Sequence, residues 1–472
     1  MLSRRSIVLA AVSFLIIFVL YDNRDVLPES FSAPSVPSTP VKNATKPSQD
    51  VSITPIVSPA TGNMFKDASS PLSPQVLNYF DQVFSEKPSL YDFHALRQQC
   101  EHTKWPEDNV YLKCGGMSAG LTSIISQVKV CLKMAVEAGV GLVLPAMPLR
   151  DSTDLKEFNF MNGDAYLTYD KWFDAEFLVE QMKRVCPQMK IVHPDQLDTI
   201  WVPVKNSWNI DIGKAPGYQQ FSSYFWVGKP FKNYFESEFA KLENLELLNP
   251  NRDDTKKGIT VVTIASNFLI FRITDDPTGQ DLRLWNDLSH LIRFREAPRQ
   301  IVSQLLSHLD RPFYGVHFRV ESDTIWSSLE NQLTVDLDAL DKAWAIYGKP
   351  GQQKPLVYLA CGDQGQIEKF VTAGKERGWE VTHKWALAQN SAETLQMINE
   401  LAFDFQGAVD MGIMVRSHFF FGITGSAFSS TIANARDVTG RYRGSTFMVF
   451  DDGNARTHLF NDGDATHYAC CL

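Results

Sequence analysis

Apolar and polar positions along the chain follow two periods, and together they predict an α/β protein. Apolar residues recur at helical spacing from Pro74 onward and again over 124–138, where they define one buried face. Short, nearly continuous apolar runs separate such segments and are typical of strands buried on both faces of a parallel sheet. These runs cover 110–112, 141–145, 313–318, 354–361 and 418–423.

Polar residues follow the run at 313–318 directly. The sequence from Phe313 to Asp323 reads FYGVHFRVESD. Central strands of this kind deliver polar side chains to the carboxyl end of the sheet, where ligands bind. A guanidinium without a partner inside an apolar run would cost several kcal/mol. We therefore expect Arg319 to pair either with a carboxylate, Glu321 or Asp323, or with an anionic ligand.

The N-terminal region predicts a membrane anchor and a stem. Two arginines precede an uncharged, mostly apolar run at 7–21, and no small-x-small cleavage site follows it. We expect an uncleaved signal anchor at 7–21, with 1–6 in the cytosol and the rest in the lumen of the endoplasmic reticulum or Golgi. Residues 22–74 contain nine of the 24 prolines and no apolar face, which predicts a disordered stem.

Composition sets the size and the partners of the folded part. The chain has 472 residues, 44% of them hydrophobic, so we expect two cores, one in a lobe at 75–297 and one in a lobe at 298–472. A net charge of −9 without a basic block argues against nucleic acid as the main partner. The seven cysteines would allow one to three disulfides in an oxidising lumen, and none has the C-x-x-C spacing of a zinc site.

A glycine-rich segment, CGGMSAGL, joins a predicted strand to a long predicted helix. It runs from Cys114 to Leu121. This arrangement aims backbone N–H groups and a helix N-terminus at an anion, which makes Gly115 and Gly116 candidate phosphate contacts. The glycines could equally serve a tight turn for steric reasons. The segment is neither a Walker A loop nor a G-x-G-x-x-G dinucleotide motif.

The C-terminal region predicts a second helix N-terminus at a ligand edge. A helix ends near Ser417, a strand covers 418–423, a turn follows at 424–426, and another helix begins at residue 427. Ser426 and Ser429 could add hydroxyl donors to the backbone N–H groups there. Asp363 follows the strand at 354–361 and could contact a nucleotide or cap the next helix.

Four segments in this order resemble the GDP-fucose protein O-fucosyltransferase family, especially its plant-type members. They are the glycine-rich segment with LVLP at 142–145, the G-V-H-F-R of 315–319, the V-Y-L-A strand ending at Asp363, and the closing pattern from Asp410 to Arg436. The YDKWFDAEF segment at 169–177 is similar to the family's acidic and aromatic element. The chain departs from the family at Ser118-Ala119, where many members have Asn-Gln, and at Ala427, where a second serine is usual.

The resemblance implies a GT-B-type fold, two Rossmann-like lobes with a donor cleft between them. It implies an inverting, metal-independent transfer of fucose from GDP-fucose to a hydroxyl, with the acceptor on the first lobe and the donor on the second. Arg319 corresponds to the family's diphosphate-binding arginine, and Glu321 and Asp174 are candidate catalytic carboxylates that could instead pair with arginines. The implied donor-binding residues are Gly115, Gly116, His317, Arg319, Asp363, Asp410, Ser426, Phe428 and Ser429.

Two other functions stay open. A membrane-tethered, inactive protein that binds a sugar nucleotide or a glycan would fit the altered glycine-rich segment. A type II sulfotransferase would share the anchor and the stem, but it would need a basic residue just after its loop, and Lys129 lies too far along the helix. The acceptor, a protein hydroxyl or a glycan, is not determined by the sequence.

Overall fold

The structure, a computed structural model, describes most of the chain after the predicted stem. The described residues belong to one compact unit, Val57–Leu472. They are 74–106, 109–150, 165–215, 219–220, 224–226, 231–253, 255–266, 269–271, 280–320, 328–423, 426–436, 446–449 and 457–459. The predicted tail, anchor and nearly all of the stem, together with Glu321 and Asp323, lie outside them. None of the helices in these segments is long and apolar enough to cross a membrane.

Strands and helices alternate along the chain. The strands are β1 (Val110–Gly115), β2 (Gly141–Val143), β3 (Ala146–Pro148), β4 (Tyr166–Thr168), β5 (Ile191–Val192), β6 (Val204–Ile210), β7 (Gln219–Gln220), β8 (Tyr224–Trp226), β9 (Ile259–Ala265), β10 (Leu269–Phe271), β11 (Phe313–His317), β12 (Leu356–Ala360), β13 (Val381–Thr382), β14 (Phe419–Ile423), β15 (Thr446–Val449) and β16 (Thr457–Leu459).

The helices complete the alternation. They are α1 (Pro74–Val83), α2 (His94–His102), α3 (Leu121–Ala138), α4 (Tyr169–Trp172), α5 (Ala175–Val185), α6 (Phe231–Leu247), α7 (Gln280–Leu291), α8 (Glu296–Ser307), α9 (Leu329–Tyr347), α10 (Gln364–Glu376), α11 (Lys384–Ala388), α12 (Ala392–Glu400), α13 (Phe403–Val415) and α14 (Ala427–Arg436).

Two large sheets carry the fold. The first has the order β5-β2-β1-β9-β6 with every pair parallel. The second has the order β13-β12-β11-β14-β15-β16 and is parallel except for its last pair. β11, β12 and β14 are buried along their whole length, as their continuous apolar runs predict. The predicted α/β class with parallel sheets is confirmed.

The largest apolar core spans both sheets, where the sequence predicts a separate core in each lobe. The largest apolar cluster contains Leu112 and Ile264 of the first sheet and Tyr358 and Phe420 of the second. Helix α13 explains the continuity, because ten of its 13 residues are buried and it offers apolar side chains in all directions. A second cluster fills the far face of the second sheet, around Tyr314.

The sequence at 282–309 predicts two helices broken at Ala297-Pro298, but the break lies earlier. Helix α7 ends at Leu291, and α8 begins at Glu296. Pro298 lies in the first turn of α8, where the missing backbone N–H breaks no helical hydrogen bond. Proline here therefore starts a helix instead of separating two.

The described residues form two disulfides, within the predicted range of one to three. Cys100 bonds Cys186, and Cys114 bonds Cys131. The second joins β1 to α3 across 17 residues and so encloses the glycine-rich segment. Closing a loop of this length restricts the unfolded chain and contributes about 3 kcal/mol in the chain-entropy model. Cys361 is buried, and its thiol donates to the carbonyl oxygen of Asp363 at 3.6 Å.

Candidate functional site

The first part of the site is the glycine-rich loop, Gly116–Gly120, between β1 and α3. Gly116 has φ +70° and Ala119 has φ +80°, the left-handed region that disfavours side chains. Gln127 of α3 holds the middle of the loop, since its amide oxygen accepts from the Ser118 N–H at 3.2 Å and its amide nitrogen donates to the Ser118 carbonyl at 2.7 Å. The loop is therefore fixed by its own helix.

Asp404 occupies the start of α3, where the sequence predicts an anion-binding backbone. Its carboxylate accepts from the Leu121 N–H, the first amide of α3, at 3.1 Å. Asp404 lies in the first turn of α13 and is 1% exposed. A helix N-terminus favours a negative charge. The first amide of the predicted cradle thus binds a carboxylate of the chain itself.

Arg150 completes this contact. Its Nε and Nη2 donate to Oδ1 of Asp404 at 3.0 and 2.8 Å, and its backbone N–H donates to Oδ2 at 3.2 Å. The guanidinium also covers Gly120, where a Cβ would lie 2.7 Å from Cζ. A side chain at 120 would have to displace the guanidinium from this position. We call Asp404, Arg150, Gly120 and Leu121 together the Asp404 junction.

The second part of the site lies at the carboxyl ends of β11 and β14. His317, the last residue of β11, shares a hydrogen bond of 2.8 Å between Nδ1 and Oγ of Ser429. The same hydroxyl oxygen accepts from the Ile423 N–H at 3.0 Å. Gly422 permits this approach, since a Cβ there would lie 2.7 Å from Oγ of Ser429. One serine therefore connects the ends of two neighbouring strands.

Helix α14 supplies the other side chains of this cluster. The Ser429 N–H donates to Oγ of Ser426 at 3.4 Å, so Ser426 caps the helix N-terminus. The Phe428 ring packs on the imidazole of His317, with 4.7 Å between ring centres. The structure thus brings four predicted donor-binding residues together, and we call them the His317 cluster. They are His317, Ser426, Phe428 and Ser429.

Burial decides the charge of His317. Burial, with a further contribution from the positive charge of Arg319, lowers the pKa of His317 to about 3. The imidazole is therefore neutral at physiological pH. It can donate or accept a hydrogen bond, but it does not supply a cation. Arg319, two residues beyond the strand end and only partly buried, carries the positive charge nearby.

The two parts of the site adjoin each other. A Cβ on Gly407 of α13 would lie 3.9 Å from the Phe428 ring and 4.0 Å from the Leu121 side chain. The start of α3 and the start of α14 therefore both lie close to Gly407 of α13. Each helix follows the carboxyl end of a strand, one from each sheet, so motifs from both halves of the sequence meet at one place.

Three predicted site residues are already used by the fold. Asp363 is exposed and caps α10, accepting from the Gln366 N–H at 2.9 Å. Asp410 is buried and accepts from the Tyr358 hydroxyl and the Lys384 ammonium, both at 2.7 Å. Gly115 ends β1, and its carbonyl accepts from the Ser266 N–H at 2.8 Å.

Asp174 lies elsewhere, in an open groove on the first half of the chain. It caps α5 through the Phe177 N–H at 3.0 Å and pairs with Arg293 at 3.4 Å and Arg299 at 3.9 Å. The groove has a volume of about 550 Å³ and mixed charge. Its polar lining includes Asp170, Asp174, Glu176, Arg295, Arg299 and Gln300.

Sequence reasoning missed the Asp404 junction. Asp404 and Arg150 are 254 positions apart, and neither belongs to a motif quoted above. A carboxylate in the first turn of a helix is ordinarily explained by the dipole of that helix. The one available signal is Gly120, which ends the loop although its helix could begin with any capping residue.

Comparisons with known proteins give partial matches of fold. No family model and no curated protein matches the sequence. Among solved structures, the chain is similar to POFUT1 in complex with GDP-fucose, at 14% identity over 73% of this chain and 98% of that one, with a TM-score of 0.41. It is also similar to the fucosyltransferase NodZ from Bradyrhizobium, at 14% identity over 75% and 99%, with a TM-score of 0.38. A mutant of Arabidopsis thaliana FUT1 in complex with GDP follows at 12% identity over 79% and 78%, with a TM-score of 0.37.

Proposed function

We propose that the chain is a glycosyltransferase that transfers fucose from GDP-fucose to a hydroxyl acceptor. One observation carries the proposal: the His317 cluster assembles at the carboxyl ends of β11 and β14 from segments more than a hundred residues apart. This edge of a parallel sheet is where α/β proteins bind nucleotides. The residues that meet there are those selected by the resemblance to O-fucosyltransferases.

Arg319 has the central role in this proposal. Its guanidinium follows the strand that ends in His317, is partly exposed, and adds the positive charge that a neutral imidazole lacks. A guanidinium can hold two phosphate oxygens at once and stabilise the charge that grows on the departing GDP. His317 and the Phe428 ring would then lie beside the nucleotide, with His317 forming a hydrogen bond to its base or ribose.

The transfer is proposed as a direct displacement with inversion and without a metal. The acceptor oxygen forms a bond to the anomeric carbon of fucose as the bond from that carbon to the phosphate oxygen breaks, and GDP leaves with the electron pair. The acceptor proton passes to a base. Asp174 and Glu321 remain the candidate bases, and Asp174 already accepts a helix N–H and pairs with two arginines.

The Asp404 junction changes the proposed phosphate contacts. The first amide of α3 donates to a carboxylate of the chain, so we place the diphosphate against Arg319 and the start of α14 and not on the α3 amide. Gly115 and Gly116 then shape the opposite wall of the donor site. This refines the prediction of a backbone cradle on the first lobe.

We further propose that the enzyme is anchored by residues 7–21 and acts in the lumen of the secretory pathway. The two disulfides support an oxidising compartment. An acceptor that is itself a secreted protein or a glycan would be met there.

The test is a donor panel with the full-length protein purified in detergent. Binding of GDP-fucose, GDP-mannose, a UDP-sugar and a sulfate donor is measured by calorimetry, and release of GDP is followed in parallel. We expect GDP and GDP-fucose to bind, and GDP-fucose to be hydrolysed slowly. Binding of GDP-fucose without any hydrolysis or transfer would favour the tethered binding protein, and binding of the sulfate donor alone would contradict the proposal.

A further inference from the structure

Four hydrogen bonds between the two halves of the chain converge on Asp404. Its carboxylate binds one backbone amide at the start of α3 and three donors of Arg150, which follows β3. The Asp404 side chain is fully buried, and that of Arg150 is 13% exposed. Buried ion pairs with several charge-assisted hydrogen bonds fix geometry more strictly than exposed pairs do. The Asp404 junction is therefore a rigid joint between the halves.

This joint bears on both parts of the candidate site. On one side it holds Leu121, the residue at which the glycine-rich loop becomes α3. On the other side Asp404 lies in the first turn of α13, and Gly407, one turn later, is close to both Leu121 and the Phe428 ring, since a Cβ there would lie about 4 Å from each. Phe428 in turn packs on His317. A shift of α3 relative to α13 would reach the His317 cluster through direct contacts.

The loop needs such support. Two of its residues, Gly116 and Ala119, have left-handed backbone conformations, and Ala119 adopts one despite its Cβ. Conformations of this kind persist where the surrounding structure imposes them. The Cys114–Cys131 disulfide and Gln127 tie the loop to α3, while Arg150 lies against Gly120, the last residue before α3.

We propose that Asp404 and Arg150 are positioning residues for donor binding. Their ion pair sets the distance between the glycine-rich loop and the His317 cluster, and so it determines the fit of a nucleoside diphosphate sugar between them. The inference rests on the proposed function, because it needs the donor to bind at this place. Neither residue has to touch the donor or the reacting atoms.

The experiment compares GDP and GDP-fucose affinity in full-length variants by calorimetry. Asp404→Asn keeps an acceptor for the Leu121 N–H but removes the charge, and Arg150→Met removes the guanidinium. We expect each to weaken GDP-fucose binding by about tenfold or more, since small displacements of a binding wall are costly. The double variant should bind GDP-fucose no more weakly than the weaker-binding single variant does, because the two residues act as one unit. Arg150→Lys should recover part of the affinity.

Asp287→Asn is the matched control. Asp287 of α7 is also a buried carboxylate that binds the amide of a different helix, Leu96 of α2, at 2.9 Å. Its hydrogen-bond partners Tyr91 and Leu96 belong to neither part of the site. Its replacement should shift the thermal midpoint while leaving the affinity for GDP within about twofold of the wild type.

The outcomes separate the two proposals. If the wild type binds neither GDP nor GDP-fucose, the proposed function fails and this inference fails with it. If the wild type binds both and Asp404→Asn and Arg150→Met bind equally well, only the positioning role is overturned. Should these variants not fold, the milder Arg150→Lys and Gly120→Ala decide, the latter because its methyl group would displace the guanidinium. Wild-type GDP affinity in both mild variants would then refute the inference.

Discussion

The turns β1–α3 and β14–α14 look alike in sequence but are built differently. Each follows a buried parallel strand and leads through small residues into a helix. The start of α14 is satisfied locally, because Ser426 caps it and Ser429 binds the end of its own strand. The start of α3 is satisfied from a distance, because Asp404 of α13 accepts its first N–H.

This difference assigns the two turns different tasks. The start of α14 is held by Ser426 and Ser429 of the same helix, so it suits a fixed contact with a ligand. The start of α3 is held by Gln127 of its own helix and also by Asp404 of α13, so its position depends in part on how the two halves are arranged. In the proposed function, the start of α14 supplies side chains that contact the donor, and the start of α3 supplies one wall of the donor site.

The largest expected effect concerns Arg319, two residues beyond the end of β11. Arg319→Lys should fold and yet lose about 2 to 4 kcal/mol of transition-state stabilisation, because one ammonium cannot reproduce a bidentate fork. Turnover of GDP-fucose measured beside calorimetric GDP binding tests this. Arg377→Lys is the control. Arg377 pairs with Asp338 and Asp341, and none of the three belongs to either part of the site. Undiminished GDP affinity in Arg319→Ala would show that the donor does not bind at the end of β11.

Ser429→Ala should have the next largest effect. It deprives the buried Ile423 N–H of its acceptor and His317 of its hydrogen-bond partner. Leaving such groups unsatisfied costs about 1 to 3 kcal/mol of folding stability. Urea unfolding measures the loss, with Ser391→Ala, a cap of α12 outside the site, as the comparison. A loss no greater than that of Ser391→Ala would show that the serine acts only as an ordinary helix residue.

The pH dependence of stability is the third prediction. The pKa of His317 is about 3 in the folded state, below its ordinary value of 6.5, so the unfolded chain binds more protons between these values. Stability from this residue is complete above pH 6.5 and is lost as the pH falls, with a slope approaching about 1.4 kcal/mol per pH unit. His317→Asn should reduce the slope of folding stability against pH by that amount.

Other groups, among them His290 and Asp287, must be separated from this effect. Burial lowers the pKa of His290 to about 4, which acts in the same direction, and burial raises the pKa of Asp287 to about 6, which acts in the opposite one. Both are unchanged in His317→Asn, so the difference between the two unfolding curves isolates His317. Parallel curves between pH 7 and pH 5 would show that the imidazole is not held neutral.

Much of the fold followed from local patterns. The predicted second helix N-terminus at residue 427 is present as α14, and the continuous apolar runs became β11, β12 and β14. These patterns are strong because burial on both faces leaves few alternatives to apolar residues. The position of Pro298 was misjudged because proline marks both the end of one helix and the start of another.

The residues of the candidate site also divide into those that local patterns predict and those that they do not. The His317 cluster was predictable, because its members end strands or begin a helix, and strand order brings those ends together. The pairing of Asp404 with Arg150 was not predictable, because no local sequence pattern indicates which distant guanidinium a carboxylate will bind. Asp410 shows the converse, since a residue selected by resemblance proved to be bound to Lys384 and Tyr358.

Gly116→Ala tests the β1–α3 turn with a smaller expected effect. A Cβ at φ +70° is strained, and the cost is about 1 to 2 kcal/mol of folding stability. The thermal midpoint should fall, and GDP affinity should weaken as the loop relaxes. A midpoint that falls while GDP affinity stays normal would make the glycine structural only and would separate the loop from the donor.

The smallest effect, and the sharpest test of the loop, is expected for Ala119→Gly. Removing the Cβ relieves about 1 kcal/mol of left-handed strain, but the unfolded chain gains freedom worth about 0.4 to 1 kcal/mol and a buried methyl group worth about 0.8 kcal/mol is lost. These terms nearly cancel, so stability should fall by only about 0.2 to 0.8 kcal/mol. Affinity is the informative measurement, because a loop with three glycines is less rigid before the donor binds. GDP-fucose should bind more weakly although the protein is nearly as stable as the wild type, and a loss of stability equal to that of Gly116→Ala would instead show that the Ala119 methyl group is a packing contact.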